Sequence, residues 1–266
     1  MADFCLSRLA ALGRHLPVET GGCRPGVDGR ANRKINPSLF DRNDGELSAE
    51  FENLTDKLGV YMNQSEHLDQ LLKIARHEAA HFVVAIAMGF TGKRISIHYE
   101  AADRYHGKAD HDLAERCGSL LEVEQYATRR TITLMAGAIG EALDSGGQLD
   151  RKEADRIFEG PGTGADSDRS TSHEFIHLIH HVVAAETASP AEIKNRLWKL
   201  AIAVTLMCAS VVEKVAQALL ATMNVKPDGL YMELTNQQIE MLLGGNIPRL
   251  DSQLDDISNQ IAALSK

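Results

Sequence analysis

Between Leu68 and Met88, apolar side chains recur on two opposed sides of one helix. At 100° per residue, Leu68, Leu71, Leu72, Ala75, Ala79, Phe82, Val83 and Ile86 fall on a single stripe. The reverse side carries His77 and His81, surrounded by Ile74, Val84 and Met88. A helix that is apolar on both sides is predicted to lie between two layers. Ser65 is its predicted N-cap and Gly89 its stop. Next, "KRISIHYE" (93–100) alternates apolar and polar residues and predicts a strand, with a partner strand in the polar run that follows. Helical patterning resumes at about Leu120 and reaches Leu143.

The loop "EGPGTGADSD" (159–168) leads into a helix bearing His173, His177, His180 and His181. Ser189-Pro190-Ala191-Glu192 combines a cap, a proline at the first helical position and a capping-box glutamate, and the helix it opens is predicted to run to Met223. Thr235 to Gln238 forms a second capping box, for a short helix that stops at Gly244-Gly245. Leu250, Leu254, Ile257, Ile261 and Leu264 are spaced alternately four and three apart, which predicts an amphipathic helix packed on its own domain. The expected fold is mainly α, with a small β-hairpin or short sheet after the first helix. Residues 15–47, rich in Gly, Arg, Asn and Asp, extend the expectation to a flexible segment over 1–47, a main domain over 48–245 and the amphipathic helix over 246–266.

Composition narrows the function. In 266 residues, 44% hydrophobic and 24% charged content supports a packed core. A net charge of −9 argues against a general nucleic-acid binder. The longest apolar run, "LAIAVTLMCASVV" (200–212), is closed by Lys199 and Glu213 and is too short to span a bilayer, which needs roughly 20 residues. The N-terminus shows no clear cleavage site, and Cys5, Cys23, Cys117 and Cys208 form no C-x-x-C pair. A cytoplasmic protein with reduced thiols is expected.

His77-Glu78-Ala79-Ala80-His81 then brings in chemistry. Residues at i and i+4 on a helix point the same way, so two buried imidazoles one turn apart can satisfy each other through one metal ion. Zinc held by His77 and His81 needs a third protein ligand and lowers the pKa of water towards about 7. Glu78, rotated to the flank of that face, is placed to act as general base. The third ligand should be a donor distant in sequence, and Asp166 and Asp168 are candidates; they equally suit capping of the helix they precede. "HEFIH" (173–177) repeats the spacing, but its setting reads first as a half-exposed histidine-rich face, second as a contribution to the same site and last as an independent second zinc site.

The order of these segments resembles the peptidase domain of the FtsH family of ATP-dependent zinc proteases. "HEAAH" (77–81), "RISIHY" (94–99), "LMAGAIGEAL" (134–143) and "TGADSD" (163–168) follow one another as the family's H-E-x-G-H helix, strand, A-G-R-x-A-E-E-like helix and T-G-A-x-x-D helix start do. The resemblance covers roughly residues 65–245. It implies a zinc endopeptidase with one zinc ion per chain, held by His77, His81 and Asp168, with Glu78 as the base. Glu141 is the acid that remains of the family's second helix, either orienting a ligand histidine or standing exposed. Ala80 replaces the motif's glycine. The 266 residues contain no G-x-x-x-x-G-K-[ST] and no transmembrane helix ahead of the peptidase region. Expected substrates are therefore peptides, unfolded proteins or chains delivered by a separate ATPase. The family's rings imply a homo-oligomer. A regulatory peptidase that cuts one partner, such as a repressor, and a catalytically silent interaction module are the alternatives. "ISIHYEAA" (95–102) would offer an edge strand to an extended substrate, or else pack in the core.

Overall fold

The computed structural model describes residues 64–101, 104–183 and 188–264. The expected N-terminal extension, Cys5 and Cys23 lie outside them. The described chain is mainly helical with one small antiparallel sheet. Its elements are α1 (Gln64–Ala87), β1 (Thr91–Ala101), β2 (Arg104–Asp112), α2 (Leu120–Glu141), α3 (Arg151–Glu159), α4 (Asp166–Val183), α5 (Pro190–Met207), α6 (Ala209–Ala221), β3 (Asn224–Lys226), β4 (Gly229–Thr235), α7 (Asn236–Leu243) and, after a short 3-10 turn, α8 (Leu254–Leu264).

The two-sided apolar pattern of α1 has the predicted consequence. Helices α2 and α6 pack on it, and β1 and β2 also lie against it. Leu71, Ile74, Ala75, Phe82, Val83, Val84 and Met88 are all buried. The helix includes Gln64, so Ser65 lies inside it and is not the cap. Its end is a Schellman turn: Gly89 takes φ 91°, its N–H donates to Ile86 O (3.0 Å) and that of Phe90 to Ala85 O (2.9 Å). Behind the histidine segment, Arg76 is buried, bonds Glu213 of α6 through both Nε (2.7 Å) and Nη2 (3.2 Å), and caps the Leu143 carbonyl (3.0 Å). This ties α1, α6 and the end of α2 together.

The sheet runs β2-β1-β4-β3, every pair antiparallel. Strand β1 is therefore interior, with its central residues paired to both β2 and β4. That corrects the edge-strand expectation for 95–102: its buried Ile95, Ile97 and Tyr99 serve the core, and β2 is the outer strand. Ser189–Glu192 and Thr235–Gln238 both form reciprocal capping boxes, and α7 ends at Gly244 in the left-handed conformation.

The helix expected over 190–223 is two helices. It breaks at Cys208, with a bend of 68° between α5 and α6. The bend lets α5 pack on α2 and α6 on α1, so the apolar run 200–212 is largely buried in the core. No single helix among the described residues is long and apolar enough to cross a membrane. The tail forms α8, which packs against α5 with Ile257 buried, after Leu250 has entered the core.

Candidate metal centre

His77 and His81 lie one turn apart on the α2-facing side of α1, and Asp168 enters from the first turn of α4. The Nε2 atoms of the two histidines are 3.1 Å apart. Asp168 Oδ2 stands 3.3 Å from Nε2 of His77 and 3.0 Å from Nε2 of His81. Of the two candidate aspartates, Asp166, the first residue of α4, turns back to the preceding loop, where its carboxylate accepts from Gly162 N (2.9 Å), and it pairs with Arg169. Asp168 alone reaches the histidines.

The tautomers follow from the outer ring nitrogens. His81 Nδ1 lies 2.8 Å from the Thr133 carbonyl, which can only accept, so Nδ1 carries the hydrogen. His77 Nδ1 lies 3.0 Å from Glu141 Oε2 and donates to it in the same way. Glu141 thus orients His77 rather than standing free. Both Nε2 atoms, each an acceptor when its ring is neutral, then converge with a carboxylate oxygen. Three acceptors at 3.0–3.3 Å demand a positive charge between them.

Without an ion, a proton supplies that charge. Burial opposes charge on His77, yet its hydrogen bonds to Asp168 and Glu141 and the charge of Glu78 lift it to about 10. Asp168 is held well below the ordinary carboxylate range: burial would raise it, but the His81 charge and the hydrogen bonds from both histidines prevail. The donor set fits a metal. A tetrahedron with metal–ligand distances of about 2.0–2.1 Å has edges of about 3.3 Å, near the three separations found. The His77–His81–Asp168 group can hold a metal ion, and it is the one such cluster of three among the described residues.

Gly137 of α2 makes the space. A Cβ there would lie 2.3 Å from Nε2 of His81 and 2.6 Å from Nε2 of His77. One turn on, a Cβ at Gly140 would meet the Ala80 methyl at 2.3 Å and Arg76 O at 2.7 Å. The methyl that Ala80 adds to the motif therefore occupies room left by Gly140.

Glu78 is buried beside the centre. Its carboxylate lies against the backbone of β2 at Gly107, where a Cβ would come within 2.0 Å of Oε1. Among the described residues it has no hydrogen-bond partner. Burial first, then the Asp168 and Glu141 charges, push its pKa up against the opposing pull of the histidines. A cleft of about 560 Å³ opens over the four residues, walled by β2 from Tyr105 to Ala109, His111, Arg130, Leu134 and the Gly162–Gly164 turn.

The second histidine cluster stays apart. His173, His177 and His181 are exposed on α4, and His180 donates through Nδ1 to the Ala188 carbonyl (3.0 Å). None lines the cleft. The residues that pattern reading missed are Gly137, Gly107, Tyr105, His111 and Arg130. The glycines left a faint signal, because an interior glycine marks a close approach. No match was found for the chain among models of known protein families or among curated proteins.

Proposed function

We propose that this chain is a zinc-dependent endopeptidase similar to the proteolytic domain of the FtsH family, acting on peptides or unfolded segments, alone or supplied by a separate ATPase. The observation that carries the reading is the meeting of two Nε2 atoms and a distant carboxylate within 3.3 Å, with Glu78 beside them in an open cleft. Zinc supplies Lewis acidity here, which makes water acidic near neutral pH and polarises a carbonyl. His77, His81 and Asp168 hold the ion; Glu141 and the Thr133 carbonyl fix the rings. Glu78 takes the proton of the attacking water as the C–O bond forms. It returns that proton to the amine nitrogen as the C–N bond breaks.

An interaction module has no use for Glu78, since burying a carboxylate without a hydrogen-bond partner is unfavourable. Strand β2, the outer strand beside the centre, offers unpaired backbone groups to an extended substrate. The test is zinc content and cleavage of an unstructured protein by wild type and Glu78→Gln. Both proteins should retain zinc, with cleavage lower in the variant by about 10²–10⁴-fold. A zinc-loaded wild type that leaves the substrate intact would leave the interaction module as the better account.

A further inference from the structure

Among the described residues, Arg130 has no carboxylate as counter-ion. It sits on α2, half-buried, in the wall of the cleft. Its neighbour Arg129 pairs with Glu115 at 2.6 Å, but no carboxylate among the described residues lies within ion-pairing distance of Arg130. Burial disfavours its charge; Tyr126 and then Asp168 act against that, and Asp168 is already engaged by two imidazoles. Its partner is an imidazole: Arg130 Nη1 donates to His111 Nε2 at 2.8 Å. That bond requires a neutral His111, and burial together with the Arg130 charge pushes His111 down to about 4. A neutral acceptor orients the guanidinium without cancelling its charge. A guanidinium has five N–H groups, and His111 occupies one.

The placement says what the others face. Along β2, Tyr105, Gly107, Ala109 and His111 alternate on the cleft side, and Gly107 abuts Glu78. His111 is four residues further along, roughly 13 Å at the rise of a strand. A peptide lying along β2 with its reacting bond at Glu78 therefore carries side chains to Arg130 within about four residues of that bond.

Resting on the peptidase reading above, we propose that Arg130, oriented by His111, is a specificity-determining residue that binds a carboxylate of the peptide near the bond to be cut. The guanidinium fork matches a carboxylate bidentately, and a half-desolvated site strengthens the pair. The carboxylate has two sources, an internal acidic side chain or a free C-terminus.

Binding tests this independently of turnover. Zinc-loaded Glu78→Gln protein is titrated with fluorescent unstructured peptides carrying Glu or Gln at each position in turn, with free or amidated C-termini. One placement of the carboxylate should bind at least about tenfold tighter than its neutral counterpart. A Glu-over-Gln preference assigns the side chain; a preference for the free over the amidated peptide assigns the C-terminus. In the same background Arg130→Gln should erase the difference while leaving the neutral peptides within about twofold, and Arg130→Lys should restore part of it. Circular dichroism and zinc content identify variants that fold. Equal binding of charged and neutral peptides, no measurable binding of any, or an equal loss for all in Arg130→Gln overturns the assignment. Separately, if wild type cuts nothing while the carboxylate preference stands, the peptidase reading fails and the binding site remains.

Discussion

Replacing Gly137 with alanine adds one methyl group at the point where the centre is tightest. The new Cβ would stand 2.3 Å from His81 Nε2 and 2.6 Å from His77 Nε2, against a contact distance of about 3.5–4.0 Å for nonbonded heavy atoms. One side must retreat by about 1 Å. The imidazoles cannot swing away freely, because α1 is packed on both sides and each ring is anchored through Nδ1. Losing the His77–Glu141 bond removes about 1.5–3 kcal/mol and losing the His81–Thr133 bond about 1 kcal/mol. Alanine returns roughly 1 kcal/mol through helix propensity. The net is about 2 kcal/mol of lost stability, or about 4–8 °C in Tm for a domain of this size.

The effect on metal is larger than the effect on fold. Each lost partner of a ligand histidine lowers metal affinity by about 10–100-fold, and both are disturbed together. Zinc affinity should fall by at least about 100-fold. Competition against a chromophoric chelator measures it, with thermal melts in chelator and in zinc to separate fold from site. Wild-type zinc affinity in a folded Gly137→Ala protein would refute the reasoning, since the two Nε2 atoms would then not share the space beside this residue.

Two further variants probe the surroundings. Glu141→Ala should lower zinc affinity by about 10–100-fold, because His77 loses the acceptor that sets its tautomer and angle; equal affinity in chelator competition would remove Glu141 from the centre. The triple substitution of His173, His177 and His181 by alanine should leave zinc stoichiometry unchanged, since these rings are exposed and outside the cleft; loss of zinc by elemental analysis would point to the other histidine helix.

What could be read from the chain depended on whether a signal was complete within one segment. The two apolar sides of α1 are an internal property of that helix, and they led to the sandwiched position and to the two histidines within it. The capping boxes at Ser189 and Thr235 are likewise local and form as read. The break at Cys208 is not local. No glycine or proline interrupts 191–223, and the run bends because α1 and α2 each take one half of it. Strand β4 alternates buried Leu230, Met232 and Leu234 with more exposed residues, but the pattern runs straight into the next capping box, and no turn residue marks its end. Helix α3 has three buried residues, Ala154, Ile157 and Phe158, in an otherwise charged stretch.

The same distinction governs the centre. Asp166 and Asp168 are chemically equivalent at a helix start, both favoured by its dipole, so loop chemistry had no means to choose. The choice is made by the packing of α4 on α2, which brings Asp168 and not Asp166 to the histidines. The cavity itself is defined by side chains that are absent. Gly137 leaves room beside two imidazoles, Gly140 takes the Ala80 methyl, and Gly107 lets Glu78 lie on the strand. A missing Cβ has no pattern of its own until the group that fills its place is known. An interior glycine of a helix costs about 1 kcal/mol relative to alanine, and α2 carries two within four positions. That pairing is the one trace by which the shape of the site was written outside the histidine motif. It ties the candidate metal ligands and the packing of α1 on α2 to the same contact, so a change that closes this contact should disturb both together.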